Sequence, residues 1–163
     1  MQKKVLILGG TGMLGHTLLK YLSSRPTLGV CATARTSNGL DQWFAPDIVK
    51  KIRVDVDADN FDSIIRTFAS VEPDVVINCI GLIKHQSIAN DPLSAITINA
   101  QLPHRISLVC RTAGARLIHM STDCVFDGKK GQYTEKDPSN AIDLYGRSKF
   151  LGEGWIWNGC WDQ

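Results

Sequence analysis

The stretch that decides the fold is Val5-Leu6-Ile7-Leu8-Gly9-Gly10-Thr11-Gly12-Met13-Leu14-Gly15. Its apolar start predicts a strand covered on both faces. Leucines at helical spacing after Met13 predict a helix that begins within the glycines. The glycines satisfy both G-x-G-x-x-G and G-x-x-G-x-x-G. Because glycine lets a pyrophosphate approach the backbone and a helix N-terminus offers N–H donors, this context predicts dinucleotide binding rather than a plain glycine-rich turn.

The rest of the chain alternates short apolar runs with longer helical patterns. Further strands are predicted over residues 30–34, 51–56, 75–80 and 117–120, and helices over 13–22, 61–68, 92–112 and 145–153. Because parallel strands need crossover helices, this order predicts an α/β fold, a Rossmann-type doubly wound parallel sheet with helices on both faces. Within it we expect a short helix or loop over 41–49, a bend at Pro103, and a loop over a site at 127–140.

Length and composition bound the class of protein. The 163 residues fit one domain, and 44% hydrophobic with 21% charged residues is typical of a soluble globular protein. No apolar run is long enough for a membrane span, and 18 basic against 16 acidic residues without clustering indicate neither a nucleic-acid nor a membrane partner. The five cysteines form no metal-ligand pattern with the histidines, which predicts reduced, mostly buried thiols, no metal and a cytoplasmic protein.

The end of the second strand favours one dinucleotide. Sites for NAD often carry an acid there that accepts from the ribose 2′-OH, whereas this chain has Arg35 and no acid nearby. A guanidinium can pair with a 2′-phosphate, so NADP(H) is preferred, while NAD(H) and a plain surface arginine stay open. After the third strand, Asp55 with Val56 beside it can meet the adenine amino group. Asp55, Asp57 or Asp59 can equally cap the next helix.

Polar groups after the later strands predict a reacting centre. Tyr145 and Lys149 are spaced i and i+4, one turn apart on a helix. A lysine ammonium near a phenol favours the phenolate, which makes the tyrosine a usable proton donor and acceptor. Thr122, directly after the fifth strand, can polarise a substrate carbonyl. The opposing interpretations are a surface helix with a snorkelling lysine, and a threonine that only caps a turn.

Longer matching segments identify a family. They are Ser121-Thr122-Asp123-Cys124-Val125-Phe126-Asp127-Gly128, then Gly131-Gln132-Tyr133-Thr134-Glu135-Lys136-Asp137, then Tyr145-Gly146-Arg147-Ser148-Lys149-Phe150-Leu151-Gly152-Glu153. With the glycine turn, they make residues 5–153 resemble the extended short-chain dehydrogenase/reductases, and within them the dTDP-4-dehydrorhamnose reductase group. The resemblance implies hydride transfer from NADPH to the C4 carbonyl of a nucleotide-linked deoxysugar, in the synthesis of cell-surface polysaccharide precursors.

The resemblance also implies roles for individual residues. Thr122 would hydrogen-bond the carbonyl, Tyr145 would protonate the developing alkoxide, and Lys149 would hold the nicotinamide ribose. Asn99 matches a helix asparagine of mainly structural importance. Together with Arg35, Asp55 and Val56, the expected cofactor-binding residues are Gly9, Thr11, Gly12, Met13, Leu14, Gly15, Cys79, Ile80, Gly81, Tyr145 and Lys149.

Two departures from the family pattern concern the substrate. The family usually has a tyrosine where this chain has Cys124, at a position that faces the sugar, and Asp123 beside it is a second candidate substrate residue. Lys84 and His85 stand in place of a small, alanine-rich run, where they can meet a substrate phosphate or acetamido group or be exposed loop residues. We therefore expect a nucleotide-sugar 4-keto reductase rather than a named rhamnose enzyme. A nucleotide-sugar epimerase or dehydratase of the same superfamily is an alternative.

The largest departure is at the end of the chain. Family members continue after the Tyr-Lys helix with a lobe that binds the nucleotide sugar, but residues 154–163 are an atypical stretch with three tryptophans. We expect a Rossmann domain over 1–153, a tail over 154–163, and a chain truncated after that helix without its substrate lobe. The sheet surface left open would favour aggregation or homo-oligomerisation. A non-catalytic NADP-binding regulatory subunit and an inactive fragment stay open as alternatives.

Overall fold

Five strands form one parallel sheet in the computed structural model, which describes residues 2–83 and 91–153. The strands are β1 (Lys3–Leu8), β2 (Leu28–Thr33), β3 (Ile52–Arg53), β4 (Val75–Asn78) and β5 (Arg116–His119). Their order across the sheet is β3-β2-β1-β4-β5, and each neighbouring pair is parallel.

The apolar run that opens the sequence forms the central strand β1. Leu6, Ile7 and Leu8 are fully buried, as expected for a strand with neighbours on both sides. Ile7 lies level with Ala32 of β2 and with Ile77 of β4. The order runs outward from β1 in both directions, which is the strand order of a doubly wound sheet. The predicted doubly wound α/β sheet is confirmed.

Helices lie where the apolar periodicity predicts them. They include α1 (Met13–Ser23), and the region predicted as a short helix or loop forms two single turns, α2 (Leu40–Trp43) and α3 (Pro46–Val49). Then follow α4 (Phe61–Val71), α5 (Pro92–Ala95), α6 (Leu102–Ala113) and α7 (Leu144–Glu153). A π-helical segment (Ile96–Gln101) joins α5 to α6, and a 3-10 turn (Asp123–Val125) comes after β5.

Strand β3 is shorter than the predicted residues 51–56. Asp55 has a φ of 60°, in the left-handed region, which an extended strand cannot contain. The N-cap of α4 is Asn60. The interpretation of Asp55, Asp57 or Asp59 as the helix cap is therefore wrong, and the Asp57 carboxylate instead accepts the Asp59 N–H at 3.1 Å.

The bend predicted at Pro103 takes the form of a change in helix type. Proline has no N–H, so it cannot donate to the carbonyl four residues earlier, which belongs to Asn99. The chain winds as the π-helical segment as far as Gln101, and the Leu102 N–H bonds the Thr97 carbonyl five residues back. Regular α-helix then continues from Leu102.

Contacts divide the chain into two compact units, each assembled from two segments. The first unit comprises Met1–Ile80 and Leu108–His119, and its core includes the fully buried Leu6, Leu19 and Ile64. The second unit comprises Gly81–Ser107 and Met120–Gln163, and Ile98 and Ile106 are among its buried residues. Within residues 2–83 and 91–153, no helix is both long and apolar enough to cross a membrane.

The cysteines are less buried than predicted. Of those in the described ranges, Cys110 is buried, whereas Cys31, Cys79 and Cys124 are half-buried. Burial nevertheless raises the pKa of the Cys31 thiol, because it disfavours the charged thiolate.

Candidate active site

The glycine turn between β1 and α1 depends on close backbone contacts. Gly9 has a φ of 83°, a conformation that favours glycine. A Cβ on Gly15 would lie 2.1 Å from the Gly9 carbonyl oxygen, so α1 can approach the end of the strand only with glycine at position 15. Among the described residues, a Cβ on Gly12 would meet nothing nearer than that same oxygen, at 3.5 Å. Gly9 and Gly15 thus serve the fold, and Gly12 leaves open space at the start of the helix.

The start of α1 offers donors to an anion. Gly12 is the N-cap in an extended conformation, no side chain caps the helix, and the first turn carries no acid. N–H groups in a first turn have no intrahelical partner, and the helix dipole favours negative charge there. The turn therefore fits a pyrophosphate group, with the exposed Thr11, Met13 and Leu14 beside it.

A cavity of about 460 Å³ lies in the first unit and is lined by Thr11, Arg35, Thr36, Asn38 and Asp57. It brings Arg35, which follows β2, together with Thr11 of the glycine turn, as the sequence predicts. Asp57, for which the sequence indicates only a helix cap, also lies in this lining, and its place shortly after the third strand is the one signal for that position. Asp55 is exposed, while Val56 is buried and its N–H bonds the Ala34 carbonyl at 3.1 Å.

The segment after β4 lies against the glycine turn. A Cβ on Gly9 would lie 3.3 Å from backbone atoms of Cys79 and Ile80. The buried Asn78 side chain holds this segment, since its Oδ1 accepts the Ile80 N–H at 3.1 Å. Its Nδ2 lies 3.1 Å from His119 Nδ1 on β5. The structure thus brings Cys79 and Ile80 to the glycine turn.

Helix α7, in the second unit, carries Tyr145 and Lys149 one turn apart. It begins where the Asp143 carboxylate accepts the Gly146 N–H at 2.8 Å, which is an N-cap bond. Lys149 is only 5% exposed, and its Nζ donates to the Met120 carbonyl at 2.6 Å. The interpretation of Lys149 as a snorkelling surface lysine is therefore wrong. The hydrogen bond to the Met120 carbonyl fixes the position of the buried ammonium.

Gly81 also belongs to the second unit and lies near Lys149. A Cβ on Gly81 would lie 3.7 Å from Lys149 Nζ and 3.4 Å from Asn99 Oδ1. The second unit therefore contains three of the predicted cofactor residues, namely Gly81, Tyr145 and Lys149, whereas the residues of the glycine turn belong to the first unit.

Thr122 caps the 3-10 turn that follows it. Its Oγ1 accepts the Cys124 N–H at 3.2 Å and donates to Asp123 Oδ1 at 3.2 Å. The capping interpretation is confirmed. It leaves a role in a reaction open, because Thr122 is half-buried and its hydroxyl can rotate from the Asp123 carboxylate toward another acceptor.

The predicted substrate residues differ in exposure. Asp123 is exposed, and Cys124 is half-buried. A Cβ on Gly146 would lie 2.1 Å from the Cys124 carbonyl oxygen, so α7 packs directly on this turn. Lys84, His85 and the tail 154–163 lie outside the described residues. Within the described residues, no group of three or more His, Cys, Asp or Glu side chains could hold a metal ion.

Residues 127–140 contain no helix or strand, as predicted, and polar side chains hold them together. The Tyr133 hydroxyl donates to Asp127 at 2.6 Å, and this bond lowers the pKa of the Asp127 carboxyl. The Lys130 ammonium and the Thr134 N–H both donate to Asp137 and lower the pKa of its carboxyl in the same way. This network was not predicted, because loop composition does not indicate which side chains pair.

Comparisons with known proteins confirm the resemblance. The family model of the RmlD substrate binding domain matches residues 3–162. Over 149 residues the chain is 30% identical to dTDP-4-dehydrorhamnose reductase from Streptomyces griseus, which covers 91% of this chain and 43% of that protein. Over 161 residues it is 30% identical to methionine adenosyltransferase 2 subunit beta from Danio rerio, covering 97% of this chain and 45% of that protein.

Solved structures agree with this family. A hypothetical dTDP-4-dehydrorhamnose reductase from Sulfolobus tokodaii superposes with a TM-score of 0.77 and 31% identity, over 94% of this chain and 50% of that one. The chain thus spans about half the length of the relatives it matches, or somewhat less. Because the family model covers nearly all of its residues, the chain belongs to the RmlD substrate binding domain family.

Proposed function

We propose that this chain is the dinucleotide-binding part of an NADP(H)-dependent reductase that acts on the 4-keto group of a nucleotide-linked deoxysugar. The observation that carries the proposal is the arrangement on α7. Lys149 is buried with its ammonium on the Met120 carbonyl, and Tyr145 stands one turn before it. Such a pair suits proton transfer to a developing alkoxide. The dTDP-4-dehydrorhamnose reductases among its relatives support this reaction class.

The first unit would bind the adenosine and pyrophosphate part of the cofactor. The open space at Gly12 and the uncapped start of α1 fit the pyrophosphate. Arg35 in the cavity lining fits a 2′-phosphate, and Thr36 and Asn38 add neutral hydrogen-bonding groups. NADP(H) is therefore preferred. Asp57, in the same lining, can accept from a ribose hydroxyl, which supports residual binding of NAD(H).

The second unit would supply the reacting side chains. The cofactor, when bound, supplies the hydride. Thr122 would turn its hydroxyl from Asp123 to the substrate carbonyl, and Tyr145 would donate its phenolic proton to the developing alkoxide. Lys149 would stabilise the phenolate that remains and hold the nicotinamide ribose.

Oxidation of NADPH in the presence of a 4-keto-6-deoxy nucleotide sugar tests the proposal. We expect turnover by the purified protein, and we expect Tyr145→Phe to abolish turnover because the proton donor is lost, while NADPH binding remains measurable through the other cofactor-binding residues. Absence of turnover on every such sugar would overturn the proposal if a version extended to the length of the relatives were equally inactive.

A non-catalytic NADP-binding regulatory subunit is the second candidate function. The similarity to methionine adenosyltransferase 2 subunit beta favours it. The presence of Thr122, Tyr145 and Lys149 argues against it. Tight NADPH binding without reductase activity, together with co-purification of a partner enzyme, would decide for the regulatory function.

A further inference from the structure

Asn99 connects two other segments of the second unit. Its Oδ1 accepts the Leu82 N–H at 2.8 Å, and its Nδ2 donates to the Leu82 carbonyl at 3.1 Å and to the Ser148 hydroxyl at 3.2 Å. Asn99 is 1% exposed. Both N–H groups of the carboxamide are therefore used in a place that water does not reach, and one side chain joins residues 81–82 to helix α7.

The main chain of Asn99 also contacts α7. Pro103 cannot donate to the Asn99 carbonyl, so the usual helical bond is missing there. A Cβ on Gly152 would lie 2.2 Å from that carbonyl oxygen, and the backbone of α7 therefore packs directly on it. Ser148 and Gly152 are four residues apart on one side of α7. One turn of α7 is thus attached to Asn99, through both the side chain and the main chain of that residue.

Ser148 carries this constraint to Tyr145. It is 1% exposed, and its Oγ accepts from Asn99 and donates to the Tyr145 carbonyl at 2.9 Å. A hydroxyl has one proton, so the bond to Tyr145 fixes its direction and presents a lone pair to Asn99. The next residue is Lys149, whose Nζ would lie 3.7 Å from a Cβ on Gly81.

We propose that Ser148 is a positioning residue whose hydroxyl holds Tyr145 and Lys149 in register with residues 81–82. Because these groups are then already arranged, the second unit can bind the nicotinamide half of the dinucleotide without rearranging. This role rests on the proposed function and deepens it, because it assigns to Ser148 the positioning of the two side chains that carry the proposed reaction. Removal of the hydroxyl leaves a buried Asn99 N–H without its acceptor, which loosens the arrangement. Threonine keeps the hydroxyl, and in a helix it bonds the carbonyl three or four residues back, as Ser148 does.

Two ligands separate this role from a general loss of stability. NADPH carries both halves of the dinucleotide, whereas adenosine 2′,5′-bisphosphate lacks the nicotinamide half. We expect Ser148→Ala to weaken NADPH binding about fivefold, the equivalent of one hydrogen bond. Binding of the bisphosphate should change by less than about twofold, and Ser148→Thr should restore NADPH binding. Isothermal titration calorimetry on the whole chain measures both affinities, and circular dichroism melting shows that the variants are folded.

Ser139→Ala is the matched control, because it removes a hydroxyl that also donates to a backbone carbonyl, that of Val125 at 2.7 Å. It should change neither affinity. If Ser148→Ala does not fold, Ser148→Cys replaces it with the same expected outcome, since a thiol is a weak hydrogen-bonding group. Unchanged NADPH binding, or equal weakening of both ligands, would overturn the positioning role. Failure of the unsubstituted chain to bind NADPH would overturn the proposed function, and this role with it.

Discussion

Gly12 and Gly15 belong to one motif but have different neighbours. A Cβ on Gly15 would lie 2.1 Å from the Gly9 carbonyl oxygen, so Gly15→Ala should lower the free energy of unfolding by about 1–3 kcal/mol. A Cβ on Gly12 has its nearest neighbour at 3.5 Å, so Gly12→Ala should change stability by less than about 0.5 kcal/mol. Gly12→Ala should nevertheless weaken NADPH binding about tenfold, because the methyl group occupies the approach of the pyrophosphate.

Urea unfolding measures the change in the free energy of unfolding of the two glycine variants, and fluorescence titration measures their affinity for NADPH. Equal loss of stability in both variants would contradict the division of roles between fold and binding.

The pairing of Arg35 with a 2′-phosphate can also be tested by a single substitution. Arg35→Ala should weaken NADPH binding about tenfold and NADH binding by less than about twofold, because only NADPH has a 2′-phosphate to pair with the guanidinium. Calorimetric titration of both dinucleotides measures the difference. Arg66→Ala is the control, since Arg66 is an exposed arginine of the same unit that is absent from the cavity lining. A loss of the same size for NADH would exclude the 2′-phosphate role.

Single residues were predictable where a role depends on a local motif. The glycine turn and the spacing of Tyr145 and Lys149 are such cases, because turn geometry and helix periodicity act over a few residues. The burial of Lys149 was not predictable, since the Met120 carbonyl that holds it comes from a distant segment. Likewise, the sequence did not indicate that the acid in the cavity lining is Asp57 rather than Asp55, or that Asp55 takes a left-handed conformation after β3.

At the scale of the element, the attachment of α7 can be tested at Gly152. Gly152→Ala places a Cβ 2.2 Å from the Asn99 carbonyl oxygen and should lower the free energy of unfolding by about 1–3 kcal/mol, because backbone atoms cannot move aside cheaply. Leu151→Ala, at a side chain that is 56% exposed, is the neighbouring control and should cost less than about 0.5 kcal/mol. Urea denaturation measures both, and similar values for the two would argue against close packing at Gly152.

The loop over residues 127–140 should lose its internal bonds in acid. Hydrogen bonds lower the pKa of Asp127 and of Asp137. Because the pKa of each carboxyl is lower in the folded loop than the ordinary value of 3.8, the hydrogen bonds to the carboxylates stabilise the folded loop at pH values above 3.8. This stabilisation disappears as the pH falls through the lower, folded-state pKa. The Thr134 amide, which donates to Asp137, should therefore titrate in an NMR pH series with a midpoint below 3.8. Asp137→Asn should remove this transition, and a midpoint at or above the ordinary value would refute the expectation.

Long elements were predicted better than short ones. The apolar run of β1 and the periodicity of α1 and α4 carry enough residues to decide their type. The two residues of β3 and the π-helical segment carry too few. The place of irregularity before Pro103 was predictable from the missing N–H, but its form was not, because it depends on which carbonyls the neighbouring N–H groups reach.

At the scale of the whole molecule, the sheet depends on a segment that lies far along the chain. A fragment of residues 1–80 lacks β5, which pairs with β4 along Val75, Val76, Ile77 and Asn78. We expect this fragment to lose cooperative thermal unfolding, whereas a fragment of residues 1–119 should retain it, because the latter contains every strand of the sheet. Circular dichroism melting compares them. A cooperative transition of residues 1–80 at the same temperature would show that β5 is dispensable.

The parallel, doubly wound sheet was predictable because alternating strands and helices permit few topologies. The two compact units were not, since each is assembled from segments that are distant in sequence, and no stretch of unusual composition separates them.

The position of β5 also affects synthesis of the protein. β4 leaves the ribosome well before β5, with residues 79–115 emerging in between. During that interval the nascent chain presents the apolar strand β4 with one edge unpaired, and such an edge can accept a strand from another chain. In the interval of translation between β4 and β5 this edge of β4 is therefore open to misassembly, and a ribosome-associated chaperone that covers it would protect the nascent chain.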